Sequence, residues 1–241
     1  MTEPVIQRPP APSLTSRAIG VITAPRETFE KIVAAPRVGG ALALVAVMSA
    51  LLVGGFLMTD VGQQAWIDQA VAGQEAWGIE VTDEAYAGIQ RMAPKAPYVS
   101  GIPYLFIIPI FSAISAGILY AIFNAMMGGA ATYKQILSVV AHSQIVMALA
   151  LVVSMPLNYM KGSMTGATSL SVLAPMLDEG SFLARLLGMI DIFLVWYVVV
   201  LSIGLAVLYR KKTKSVALVL FGIYAVIAIG VAFVQSSRSG A

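Results

Sequence analysis

SGIPYLFIIPIFSAISAGILYAIFNAMM, residues 100–127, contains no Asp, Glu, Lys or Arg. A helix rises about 1.5 Å per residue and the hydrocarbon core of a bilayer is about 30 Å thick, so about 20 apolar residues cross it. This stretch exceeds that length, and its reading decides the class: an α-helical membrane protein. Four more apolar runs point the same way, at about 38–58, 136–159, 182–209 and 215–234. Composition agrees. The 241 residues are 59% hydrophobic and 11% charged, against about 25% charged in a soluble domain. The expected fold is all-α: a polytopic protein of five transmembrane helices with an N-terminal amphipathic interfacial helix.

The segments between the runs set the orientation, because basic loops stay in the cytoplasm. Arg8, Arg17, Arg26, Lys31 and Arg37 precede the first run, Lys134 lies between the second and third, and Arg210, Lys211, Lys212 and Lys214 separate the fourth from the fifth. With five crossings these lie on one side. Asp60, Asp68, Glu75, Glu80, Asp83, Glu84, Asp178 and Glu179 lie on the other. The expectation is a protein of the cytoplasmic (inner) membrane with its N-terminus in the cytoplasm and its C-terminus outside. Residues 1–18 are proline-rich without an apolar centre, which reads as a disordered cytoplasmic tail rather than a signal peptide. Residues 19–234 form the membrane domain, and residues 235–241 a short outer tail.

Ahead of the first span, Pro25 suits a first helical turn. Phe29, Ile32 and Val33 share one helical face, while Arg26, Glu27, Glu30 and Lys31 fall mostly on the other. Such a helix lies in the membrane interface or packs on the cytoplasmic ends of the spans. The outer loop 59–98 reads as two helices. Trp66, Ala70, Gly73 and Trp77 align on the first, and Thr82 is the expected N-cap of the second, which Pro94 ends. The segment 161–181 is too short in apolar residues to span.

Three features together resemble a family. They are APRETFEKI (24–32) before the first span, the five-span layout, and GGAATYKQILSVVAHSQIVMAL (128–149), where a Gly-Gly pair and an aromatic-Lys-Gln lead into the third span. The chain resembles the bacterial branch of the Yip family, the Ypt-interacting membrane proteins, over about residues 19–234. The resemblance implies a polytopic all-α protein with a cytoplasmic N-terminus. Eukaryotic members interact with prenylated Rab-type GTPases and carry an acidic DLYGP-like segment before the first span. APRETFEKI occupies that region here, so the resemblance carries architecture rather than that partner.

Few residues suggest chemistry. Asp191 stands in the fourth run, where a charged carboxylate costs about 3 kcal/mol at the bilayer centre. It is expected to face the bundle interior, as an ion or proton site or as a structural hydrogen bond. His142 and Gln144 lie in the third span and Asn124 at the inner end of the second. Each reads as a relay group or, more plainly, as a bond between helices. Ala113, Gly117, Ala121, Ala125 and Gly129 recur every four residues and read as a packing seam, within the chain or in a dimer. The chain has no cysteine and one histidine, so thiolate and multi-histidine metal sites are excluded. Walker, GxGxxG, HExxH and GxSxG patterns are absent. The basic turn at 210–214 reads as a topology signal. The expectation is a non-enzymatic membrane protein without cofactor or metal that organises protein or lipid partners. Those partners are the bilayer and a second copy or other membrane proteins, not nucleic acid. The alternative is a small transporter or channel around Asp191.

Overall fold

The computed structural model describes residues 12–164, 166–178 and 181–239. Two short helices open it, α1 (Leu14–Thr23) and α2 (Pro25–Ala34), followed by the apolar α3 (Gly39–Leu57). Next come α4 (Asp60–Glu75), α5 (Asp83–Met92) and a π-helical turn (Pro97–Gly101) that leads into α6 (Tyr104–Met127). Then α7 (Tyr133–Ser143) and α8 (Ile145–Lys161) run end to end. A 3-10 turn (Leu170–Leu173) precedes α9 (Phe182–Met189), α10 (Ile192–Leu208) and α11 (Thr213–Ser239). No strand occurs among the described residues, where a single antiparallel bridge joins Ser169 to Asp191.

Four helical segments are long and apolar enough to cross a membrane: Gly39–Leu57, Pro97–Ala125, Tyr133–Lys161 and Thr213–Ser237. The fourth run is shorter than expected. Its apolar stretch 182–209 breaks at Ile190-Asp191 into α9 and the apolar α10 of 17 residues. The reason is local. Asp191 is the N-cap of α10, its carboxylate accepting from the backbone N–H of Phe193 at 2.8 Å and of Leu194 at 3.1 Å. A carboxylate that satisfies orphan N–H groups starts a helix, and what precedes it becomes a separate element.

The chain ends also differ from expectation. Ser13 caps α1 through the N–H of Ser16, so the helical chain begins at Leu14, inside the tail expected to reach residue 18. The first eleven residues of that tail lie outside the described residues. Helix α11 continues to Ser239, through most of the expected outer tail. Both loop helices occur, each with a threonine cap: Thr59 accepts from the N–H of Gly62 and Thr82 from that of Ala85.

Helices α3, α6, α7–α8, α10 and α11 form the bundle, with α10 against α2, α7, α8 and α11. The main core joins Val21 of α1 and Phe29 and Ile32 of α2 to Phe123, Val139, Leu205 and Val216. The N-terminal pair thus sits across one end of the bundle. Outward faces carry large apolar side chains, among them Phe106, Ile110 and Ile118 on α6 and Val226 and Phe233 on α11. That is the surface a bilayer covers.

Candidate functional site

The polar groups of the bundle gather where α1 and α2 meet α7. Thr132 and Gln135 form a capping box at the start of α7: the Thr132 hydroxyl accepts from the Gln135 N–H, and Gln135 Oε1 accepts from the Thr132 N–H at 2.9 Å. Gln135 Nε2 also donates to the Val33 carbonyl of α2 at 3.3 Å. That carbonyl belongs to the last turn of α2, which leaves its acceptors without intrahelical partners. One glutamine therefore starts α7 and ends α2. Its neighbour Tyr133 donates to the Ala113 carbonyl of α6 at 2.9 Å.

Two turns deeper lies His142, fully buried. Its Nδ1 donates to the Ser138 carbonyl at 2.8 Å, and Arg17 Nη1 of α1 stands 3.2 Å from Nε2. A guanidinium only donates, so Nε2 accepts and the imidazole is the neutral Nδ1–H tautomer. Arg17 Nη1 also lies 3.5 Å from the Arg37 carbonyl, which the Ser138 hydroxyl approaches at 3.4 Å. Arg17 is 7% exposed, and its Nε has no hydrogen-bond partner. Burial first, and the charge of Arg37 second, hold its pKa below the ordinary arginine value.

The third span is interrupted here. His142 and Ser143 both bond carbonyls one turn back, Ser143 to Val139 at 2.9 Å. Such back-bonding competes with the backbone ladder, and the α-helix is interrupted at Gln144. Helices α6 and α8 run through Pro109 and Pro156.

The four polar candidates do not share one interior. Gln144 Oε1 lies 2.9 Å from the Ser112 hydroxyl of α6. Asn124 Nδ2 donates to the Ala131 carbonyl at 3.3 Å, and its Oδ1 accepts from Tyr209 at 2.8 Å. Asp191, expected well inside a span, is half-buried at the far end of α10, where the Thr168 hydroxyl donates to its second oxygen. Each polar group closes a joint between elements.

The apolar face of α2 goes into protein. Phe29 and Ile32 are buried and Val33 half-buried, packed on α7 and α10. A Cβ added to Gly204 of α10 would stand 2.5 Å from Val139 Cγ1 and 3.1 Å from the Phe29 ring. That glycine is the close crossing. The small-residue seam is not: Ala113 and Gly117 are half-buried, Ala121 and Ala125 exposed, and a Cβ at Gly117 would meet nothing within 4 Å. The buried side of α6 is Ser112, Ala116, Leu119 and Phe123. Gly129 belongs to another joint, its absent Cβ leaving room for the Tyr209 ring, which stacks on Phe123 at 5.7 Å.

Sequence reasoning missed Arg17, Thr168 and Tyr209 as partners. For Arg17 a signal existed. It lies four residues before Val21, on the face of α1 that turns inward.

The residues that seat the N-terminal pair include the aromatic-Lys-Gln stretch and the pre-span helix. No solved structure matches the chain. A membrane protein, YknW of Bacillus subtilis (strain 168), is 29% identical over 217 residues, covering 87% of this chain and 87% of its own length. The Yip1 domain matches residues 19–234, from α1 to within α11, and includes Arg26, Gln135, His142 and Gly204. With that match over nearly its whole length, the chain belongs to the Yip1 family.

Proposed function

We propose that this membrane protein is non-enzymatic and organises protein or lipid partners in the cytoplasmic membrane. In this reading α10 is a fifth crossing, the N-terminus is cytoplasmic and the C-terminus outside. One observation carries it: the polar residues inside the bundle are used up as joints between helices. Arg17 with His142, Gln135 with Val33, Ser112 with Gln144 and Asn124 with Tyr209 hold a frame together. The outward faces of α6 and α11 stay apolar and available to lipid or to other membrane helices. Geometry supports the fifth crossing. Helix α10 starts beside Ser169 in the loop after α8 and ends beside α2 at the opposite end of the bundle.

The transport reading requires a polar cavity reaching Asp191. Two surface cavities, of about 540 and 400 Å³, are lined by neither Asp191, His142, Gln144 nor Asn124. The test of the organising role is cross-linking in intact membranes, followed by purification of the full chain. A reproducible set of protein or lipid partners is expected, and its absence would overturn the reading. Proteoliposomes give the complementary measurement. No ion flux is expected from the wild type or from Asp191→Asn, and flux abolished by the substitution would establish a transporter.

A further inference from the structure

The larger of those two cavities lies at the end of the bundle that α2 covers. Arg26 and Glu30 of α2 line one side, and Arg210, Lys211 and Lys212 of the α10–α11 turn line the other, with Val207 contributing apolar wall. Its volume of about 540 Å³ falls in the range of about 300–1,000 Å³ usual for small-ligand clefts. Four cations face one carboxylate. Glu30 reaches only Arg26, at 3.8 Å, and both side chains are more than half exposed.

The turn that presents three of these cations carries a conformational cost. Lys211 N–H donates to the Ala206 carbonyl at 2.9 Å and Arg210 N–H to that of Val207 at 3.3 Å. This pair of bonds is a Schellman ending, and its left-handed position normally takes glycine. Here it is Arg210, at φ 52°, the one positive-φ residue other than glycine among the described residues. A topology signal needs basic residues anywhere in the turn. It needs neither an arginine at the strained position nor Arg26 brought to the same cavity from the other end of the chain.

We infer that this cavity binds a phosphate-bearing anion, supplied by the headgroup of an anionic phospholipid in the cytoplasmic leaflet. An arginine fork bonds phosphate oxygens in pairs, and the lysines add point charges. In the five-crossing reading the site stands where α10 and α11 leave the bilayer, at headgroup depth. The inference deepens the organising role by naming a lipid class, and it rests on that reading for the sidedness of the turn.

The test uses the full chain in detergent. Short-chain phosphatidylglycerol, phosphatidylcholine, glycerol phosphate and inorganic phosphate are titrated separately, with bound ligand counted by native mass spectrometry. Phosphatidylglycerol is expected to bind and phosphatidylcholine not. Arg210→Gly and Arg26→Gln should each weaken binding about five-fold, the effect of one basic residue at a membrane surface. Glu30→Gln should tighten it, and Lys134→Gln, outside the cavity, should leave it unchanged. Arg210→Gly relieves the left-handed strain, so its Tm should not fall and lost binding cannot be misfolding. Competition by inorganic phosphate at equal concentration would keep the anion site but assign it to a soluble phosphate compound. Equal binding of phosphatidylcholine, or wild-type binding by both arginine variants, would overturn the site. Cross-linked protein partners surviving that result would leave the organising role standing.

Discussion

The contact between Arg17 and His142 joins a cation to a neutral ring in a buried site, where a lost partner costs more than the bond returns. Removing Arg17 leaves the buried Nε2 lone pair empty. Removing His142 strands a guanidinium that already has an unpartnered Nε. A hydrogen bond to a charged group is worth about 1.5–3 kcal/mol. A double-mutant cycle with Arg17→Met and His142→Leu should therefore show a coupling of about 2 kcal/mol in detergent unfolding. Additive losses would mean the two side chains act separately. Asp191 gives a second prediction at this scale. As an N-cap, Asp191→Ala should cost about 1 kcal/mol and Asp191→Asn much less, because Asn caps nearly as well. A carboxylate working as an ion site would make the two variants equally defective in flux. These roles differ in how far the sequence disclosed them. Thr82 was legible as a cap because polar residues surround it. Asp191 was read as a membrane carboxylate because hydropathy averages over the break that the same residue creates.

Among the elements, α10 is tightly constrained, since α2 and α7 both close on Gly204. Gly204→Val should overfill that crossing and destabilise by about 1–3 kcal/mol, the usual cost of overpacking. Gly117→Ala, in the small-residue seam, should not lower Tm, because its added methyl meets nothing within 4 Å and Ala favours a helix over Gly. Thermal melts of the two variants check both statements. The contrast explains why the sequence left open whether the seam packs within the chain or against another copy. A membrane helix is apolar all round, so sequence gives the period of its small residues but not the side that faces protein. On α6 the inward face is Ser112, Ala116, Leu119 and Phe123, one or two positions away from the small-residue row. The amphipathic α2 did announce its buried face through Phe29 and Ile32, because charges marked the opposite one. What the charges could not say is whether lipid or protein would cover it. The four long spans were legible because length in hydrocarbon is nearly the whole requirement. Helix α1 was not, being short and joined to a proline-rich stretch.

For the whole molecule, the open quantity is the number of crossings, and it turns on α10. At about 1.5 Å per residue its 17 residues reach about 25 Å, a few ångströms less than a typical hydrocarbon core. A helix of that length spans where the bilayer thins or where its ends are tended by polar residues. Asp191 caps one end, and Arg210 to Lys212 follow the other. Five crossings place the C-terminal end of α11 outside, whereas four leave it in the cytoplasm with the N-terminus. The chain contains no cysteine, so single cysteines can be introduced without background. Glu75→Cys in the outer loop should react with an impermeant maleimide in intact cells, and Lys134→Cys only after permeabilisation. Ser237→Cys is the deciding position. Labelling in intact cells establishes α10 as a crossing and puts the basic cavity at the cytoplasmic leaflet. Protection until permeabilisation would remove α10 from the spans. The turn at Arg210 would then have to reach Arg26 of α2 on the same face without crossing, an arrangement that the packing of α2 across the ends of α7 and α10 opposes.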